Sequence, residues 1–184
     1  MLDANKESFG VRTLPTYHFD KVEVVVSFAA DFLGDWLDAG HGKDYATKRN
    51  PNAATMSRHY QFESNLSMTG ANADYRTPVK ASEMGVSLVN LYNLIAKKAG
   101  ATTVKVATSD YSTQIQKAAN DLWKAKGKSL VVAGGNDKNI HLVVNAINDL
   151  LSNNGSTIDF AKRSNLKQGN DADVATLVSD MKAG

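Results

Sequence analysis

Residues 129–151 constrain this chain more than any other stretch. Leu130, Val131, Val132 and Ala133 form a short apolar run, the right length for a strand covered on both faces. Gly134 and Gly135 break it. Asn136 or Asp137 can then cap a helix by accepting a hydrogen bond from a free backbone N–H. Ile140, Val143, Val144, Ile147, Leu150 and Leu151 recur at helical spacing and give one apolar stripe. Asn153, Asn154 and Gly155 close the helix with residues that tolerate positive φ. A strand, a glycine turn and a helix N-terminus make the generic geometry for holding a phosphate or nucleotide. The turn has neither the G-x-G-x-x-G spacing nor the lysine and hydroxyl of a P-loop, so a plain strand-to-helix turn is the simpler reading.

The rest of the chain alternates in the same way. Residues 22–28 are β-branched and almost continuously apolar, the strongest strand signal present. Residues 29–37 read as a loop and a short helix, broken by Gly40, His41 and Gly42; residues 44–49 read as a second short helix ended by Asn50 and Pro51. Residues 59–64 alternate aromatic and polar side chains, which suits a half-exposed strand. Residues 67–76 are turn-rich, and residues 75–80 read as extended because Thr77 precedes Pro78. Ser82 is placed to cap the next helix, with Glu83 in its first turn and Met84, Leu88, Leu91, Tyr92 and Ile95 on its apolar face. Ile115, Ala118, Ala119 and Leu122 mark a further helix. Residues 1–20, 101–109 and 156–170 carry few signals, and the last of these reads as an irregular connector. A final helix starts near Asp171, with Val174, Leu177, Val178 and Met181 expected inward. Alternating strands and helices predict an α/β fold: a Rossmann-like three-layer domain with a mostly parallel sheet and helices on both faces.

Composition removes several classes of function. The chain has 184 residues, best read as a single α/β domain over residues 1–184, and its 42% apolar content supports a real core. With 21 basic and 19 acidic residues interspersed, the net charge is only +2, and no basic face points to nucleic acid. No cysteine is present, so this chain cannot ligate an iron–sulfur cluster or a cysteine-based zinc ion. The longest apolar run is far short of a membrane span, and the N-terminus has no signal-peptide pattern. Its polar start and its stop directly after a helical pattern read as a piece excised from a longer subunit.

Catalytic constellations are equally sparse. His18, His41, His59 and His141 are not spaced as metal pairs; His59 reads as a polar residue at a strand edge and His141 as a solvated or hydrogen-bonded helix residue. No G-x-S-x-G elbow is present. Asp31, Asp35 and Asp38 read as helix-capping and flanking carboxylates rather than as an acid–base pair. No catalytic residue is expected.

One stretch is more specific. MSRHYQFES at 56–64 followed by LSMTGANADYR at 66–76 resembles the molybdopterin oxidoreductase-like, iron–sulfur-binding subunit of bacterial alternative complex III, a quinol-oxidising respiratory assembly. SFG at 8–10, FDK at 19–21, SFAADFLG at 27–34 and NDLLSNNGSTI at 148–158 agree with it in the same order, so the resemblance covers nearly the whole chain. It implies one α/β domain of the type that holds a pterin dinucleotide across the loops after its strands. The cofactor-facing positions it implies are Asp31, Gly34, Gly70, Asn72, Ser82, Glu83, Gly134, Gly135, Asn136 and Asp137.

Two departures bear on the cofactor. Molybdenum enzymes commonly carry a glycine-asparagine-proline run where this chain has ADFLG at 30–34, and their Pro-Gly-Thr-Asp loop is matched only loosely by PVKASE at 78–83. Phe32 and Leu33 would occupy space a pterin dinucleotide needs. The resemblance therefore implies a cofactor-free scaffold domain, with iron–sulfur clusters held elsewhere in the parent subunit. The alternative is a functional domain that binds a molybdopterin guanine dinucleotide. A third reading, a free-standing nucleotide-binding enzyme, lacks a catalytic residue. The partners implied are the other domains of the parent subunit and other subunits of a membrane-bound respiratory complex, with no nucleic acid and no direct membrane insertion. The parent would lie peripherally on the periplasmic side of the bacterial inner membrane.

Overall fold

The computed structural model describes all residues, Met1–Gly184. Its centre is a parallel sheet of four strands: β2 (Val24–Phe28), β3 (Arg58–Glu63), β4 (Tyr75–Pro78) and β5 (Ser129–Ala133), in the order β4-β3-β2-β5. The expected α/β sheet is therefore present. β2 is buried at every position, and so is β5, which matches their continuous apolar runs.

Each face of the sheet has its own core, set by strand alternation. Val24, Val26 and Phe28 face α4 (Met84–Ala99), α5 (Ser112–Lys124) and α6 (Lys138–Leu150), where Leu88, Leu91, Ile95, Ile115, Leu122 and Ile147 are fully buried. Val25, Leu130 and Val132 face the other way, against Phe19, Phe32, Tyr45 and Ile158. That second face is covered by α2 (Gly40–Thr47), a 3-10 turn at Phe19–Lys21 and a two-stranded antiparallel ribbon of β1 (Leu14–Tyr17) and β6 (Ile158–Ser164). α3 (Met68–Ala71) is a single turn that carries the chain from β3 to β4.

Several local expectations need correction. Residues 1–20 are ordered: α1 (Leu2–Phe9) packs along α6, and β1 pairs with β6, so residues 156–170 are no simple connector. These elements are short and make sense only as a pair, which local periodicity does not reveal. Gly40, His41 and Gly42 begin α2 rather than break the chain, because Asp38 Oδ1 accepts from Gly40 N–H at 2.8 Å. Ser82 makes no capping bond; it lies exposed in a 3-10 turn, Ala81–Glu83, ahead of α4. Residues 59–63 are buried rather than half-exposed. Every residue of α7 (Asp171–Ala183) is exposed, including Val174, Leu177, Val178 and Met181. No helix is long and apolar enough to cross a membrane.

Candidate functional site

The sheet order makes β2 and β5 neighbours whose connections leave in opposite directions. Their carboxyl ends form the topological switch point, where open α/β sheets bind ligands. Here the chain packs closely on itself between the two strand ends. Gly134 N–H donates to the Phe28 carbonyl at 2.8 Å, and a Cβ on Gly134 would overlap the carbonyl of Ala29. Ala29 takes a left-handed φ of 57°, costly without glycine, to make this approach. Trp36 covers the end of β5: its indole N–H donates to Ala133 O at 3.1 Å, and its ring packs on Tyr17 and His41.

The helix N-terminus behind the Gly134–Gly135 turn is also occupied. Asp137 Oδ1 accepts from Asn139 N–H at 2.8 Å, as expected of the cap, so a carboxylate already sits where the dipole of α6 would draw a phosphate. Gly135 adopts φ 79°, and its carbonyl accepts from His141 Nε2 at 2.9 Å. His141 is buried, and burial holds its pKa below the ordinary value.

A second cluster lies after β2 and β3. Asp31 Oδ1 accepts from Thr69 N–H at 2.9 Å, and Thr69 Oγ1 accepts from Leu33 N–H at 2.9 Å. These two bonds staple the 31–34 loop to α3. Gly34 packs so close to the Asp31 carboxylate that a Cβ would clash, and Gly70 packs the same way on Glu63. Phe32 does not project into any cleft. It is buried beneath the loop, stacked on Phe19 at 4.5 Å and tilted against His59 at 5.2 Å.

Beneath α3 runs a buried polar chain that the alternation of residues 59–64 concealed. His59, Gln61 and Glu63 share one face of β3 and are 0%, 0% and 2% exposed. Glu63 accepts from Arg76 Nε at 2.6 Å, Ser67 Oγ at 2.6 Å and Gln61 Nε2 at 3.0 Å. With its amide nitrogen on Glu63, Gln61 turns Oε1 toward His59 Nε2 at 3.3 Å, which requires that nitrogen to donate. His59 Nδ1 then accepts from Tyr45 OH at 3.1 Å. Burial opposes ionisation of Glu63, but the hydrogen bonds from Ser67, Arg76 and Gln61 outweigh it and hold the carboxyl below its usual range. Burial pushes the His59 pKa down to about 4, so the ring is neutral at pH 7.

The ten positions implied by the resemblance thus divide. Asp31, Gly34 and Gly70 meet around α3. Gly134, Gly135, Asn136 and Asp137 meet at the switch point. Ser82 and Glu83 precede α4 close to Gly85, which lies alongside Ile140 of α6. Asn72 ends α3, exposed, its amide on Met68 O and its carbonyl near Tyr45 OH. Only Gly135 and Asn136 line the cleft of about 370 Å³ at this edge, together with Trp36, Arg12 and Lys167. Arg12 is tied to Asp3 at 2.7 Å and to Gly169 O at 2.7 Å. No group of His, Cys, Asp or Glu is arranged to hold a metal ion. No protein-family model and no curated protein matches this chain.

Proposed function

We propose that this chain is a cofactor-free α/β scaffold domain of a respiratory electron-transfer oxidoreductase, the molybdopterin oxidoreductase-like, iron–sulfur-binding subunit of an alternative complex III. The family half of this reading rests on the ordered resemblance, densest in residues 56–76. The scaffold half rests on one observation: the polar groups of the loops after β2, β3 and β5 are spent on one another. Asp31 holds Thr69, Glu63 holds Arg76 and Ser67, Asp137 caps α6, and Trp36 covers the end of β5. These commitments speak against a pterin dinucleotide, whose diphosphate would meet the Asp137 carboxylate at the start of α6. A domain built in this way positions its neighbours and does no chemistry.

The second reading, a domain that binds molybdopterin guanine dinucleotide, draws on the cleft beside Gly135 and Asn136 and its two cations, Arg12 and Lys167. The family assignment is tested by tagging the native protein and isolating it from membranes. The expected result is co-purification with a multi-subunit assembly that shows iron–sulfur signals by electron paramagnetic resonance. Recovery as an unaccompanied protein with no such signals would overturn the assignment.

A further inference from the structure

At the opposite end of the sheet, where the strands begin, a second cleft of about 380 Å³ opens between the 48–58 loop and the end of α5. Its exposed apolar surface comes from Met56, over a floor of buried Val22, Val24 and Ala125. Ser57 lies in its wall, only 5% exposed, and its hydroxyl has no partner within the protein. The Ser57 backbone, by contrast, is fully used: its N–H donates to Lys48 O at 2.9 Å and its carbonyl accepts from Arg49 Nη1. The residue is held in place while its hydroxyl is left over, an uncommon arrangement for a buried polar group.

Three cations line the same cleft. Arg58 spends Nη1 on Asp121 at 2.7 Å, and its other guanidinium nitrogens bond no acceptor of the chain. Lys48 has no ion-pair partner, and Lys124 reaches Asp121 only at 3.9 Å with its side chain 80% exposed. The two carboxylates present are taken: Asp121 by Arg58 and Tyr60, Glu23 by Lys128 at 3.0 Å. Positive charge is therefore in excess around a buried hydroxyl and above an apolar floor.

We propose that this cleft binds a small organic phosphate monoester. The phosphate would take hydrogen bonds from the free face of Arg58 and, once its unpartnered side chain turns outward, from the Ser57 hydroxyl, with Lys48 and Lys124 supplying charge, and the organic part would lie against Met56. A dianion with three terminal oxygens matches four donors better than a carboxylate does. The proposal is independent of the scaffold reading, since the cleft lies at the other end of the sheet.

Phenyl phosphate, inorganic phosphate and phenol serve as probes, titrated into the full chain and followed by amide chemical shifts. Phenyl phosphate should saturate shifts at Ser57, Arg58 and Ala125, bind about tenfold more tightly than inorganic phosphate, and weaken as salt rises. Phenol alone should shift nothing. Lys48→Ala with Lys124→Ala should weaken binding about tenfold or more. Ser57→Ala should weaken it several-fold yet leave the thermal midpoint unchanged or higher, because it removes an unpartnered buried hydroxyl. Absence of saturable binding, or binding untouched by these substitutions in folded protein, would overturn the proposal. Equal binding of phenol would do so as well.

Discussion

Glu63 places a carboxylate under α3 with only this chain's own donors around it. Gly70 is the residue that allows it, because any side chain there would meet the carboxylate directly. Gly70→Ala should lower stability by about 1–3 kcal/mol, read from the urea midpoint, since neither α3 nor the paired carboxylate can yield cheaply. His59, facing Tyr45, Gln61, Asp74 and Arg49, gives a pH signature. Its folded pKa of about 4 lies below the ordinary 6.5, so the folded state disfavours the proton. Its contribution is complete above pH 6.5 and declines as the pH falls toward 4, by about 3 kcal/mol in all. His59→Gln should flatten the stability profile in that window while leaving the steeper loss below pH 4. That loss belongs to Glu63, Asp74 and Asp121: burial opposes ionisation of each carboxyl, but their hydrogen-bonding partners outweigh it and hold all three below the usual range. A stability profile unchanged by His59→Gln would contradict this assignment. None of this was legible in the alternation of residues 59–64. A strand with polar residues on one face reads as half-exposed, and only the arrival of Tyr45 from α2, Arg76 from β4 and Ser67 from the turn after β3 satisfies those groups inside.

β5 is an edge strand, bonded to β2 alone, and its other side would be an open ladder. Side chains close it. Thr157 Oγ1 donates to Ser129 O at 2.7 Å, Asn148 takes both sides of Val131 at 2.7 and 3.0 Å, and the Trp36 indole covers Ala133 O. Asn148 thus stands in for a missing strand from within α6. Asn148→Leu should cost about 2–4 kcal/mol by leaving the Val131 amide groups and the Asn153 side-chain NH2 unpaired. Asn148→Asp at neutral pH should cost at least as much as Leu, because a buried carboxylate oxygen would face the Val131 and Val144 carbonyls that the amide now serves. A midpoint unmoved by Asn148→Leu would remove this role. The strand, the Gly134–Gly135 turn, the Asp137 cap and the stripe of α6 were all readable locally, because each follows from short-range periodicity and turn chemistry. The Asn148 clasp was not, since a lone polar residue on an apolar stripe does not name its partner.

Over the whole molecule, the parallel sheet and its flanking helices follow from the alternation of apolar runs. The closing of the chain does not: α1 lies on α6, Phe9 meets Phe160 at 4.8 Å, and β1 pairs with β6 across the length of the sequence. α7 stands outside this closure. Its apolar stripe was legible, but a stripe does not say whether anything covers it, and all of its residues are exposed. Removing residues 171–184 should change the unfolding free energy by less than about 0.5 kcal/mol, whereas a large loss would reveal packing that the exposed helix does not have. Of the candidate site, the sequence located the loops after β2, β3 and β5. It could not tell that Trp36, Thr69 and Arg76 pack into them, because those contacts join separate elements whose pairing local periodicity does not name. The most direct measurement takes the protein purified from its native source, denatures it, and assays the released small molecules by mass spectrometry alongside molybdenum. The scaffold account predicts neither pterin nor molybdenum above trace stoichiometry; close to one equivalent of each per chain would contradict it.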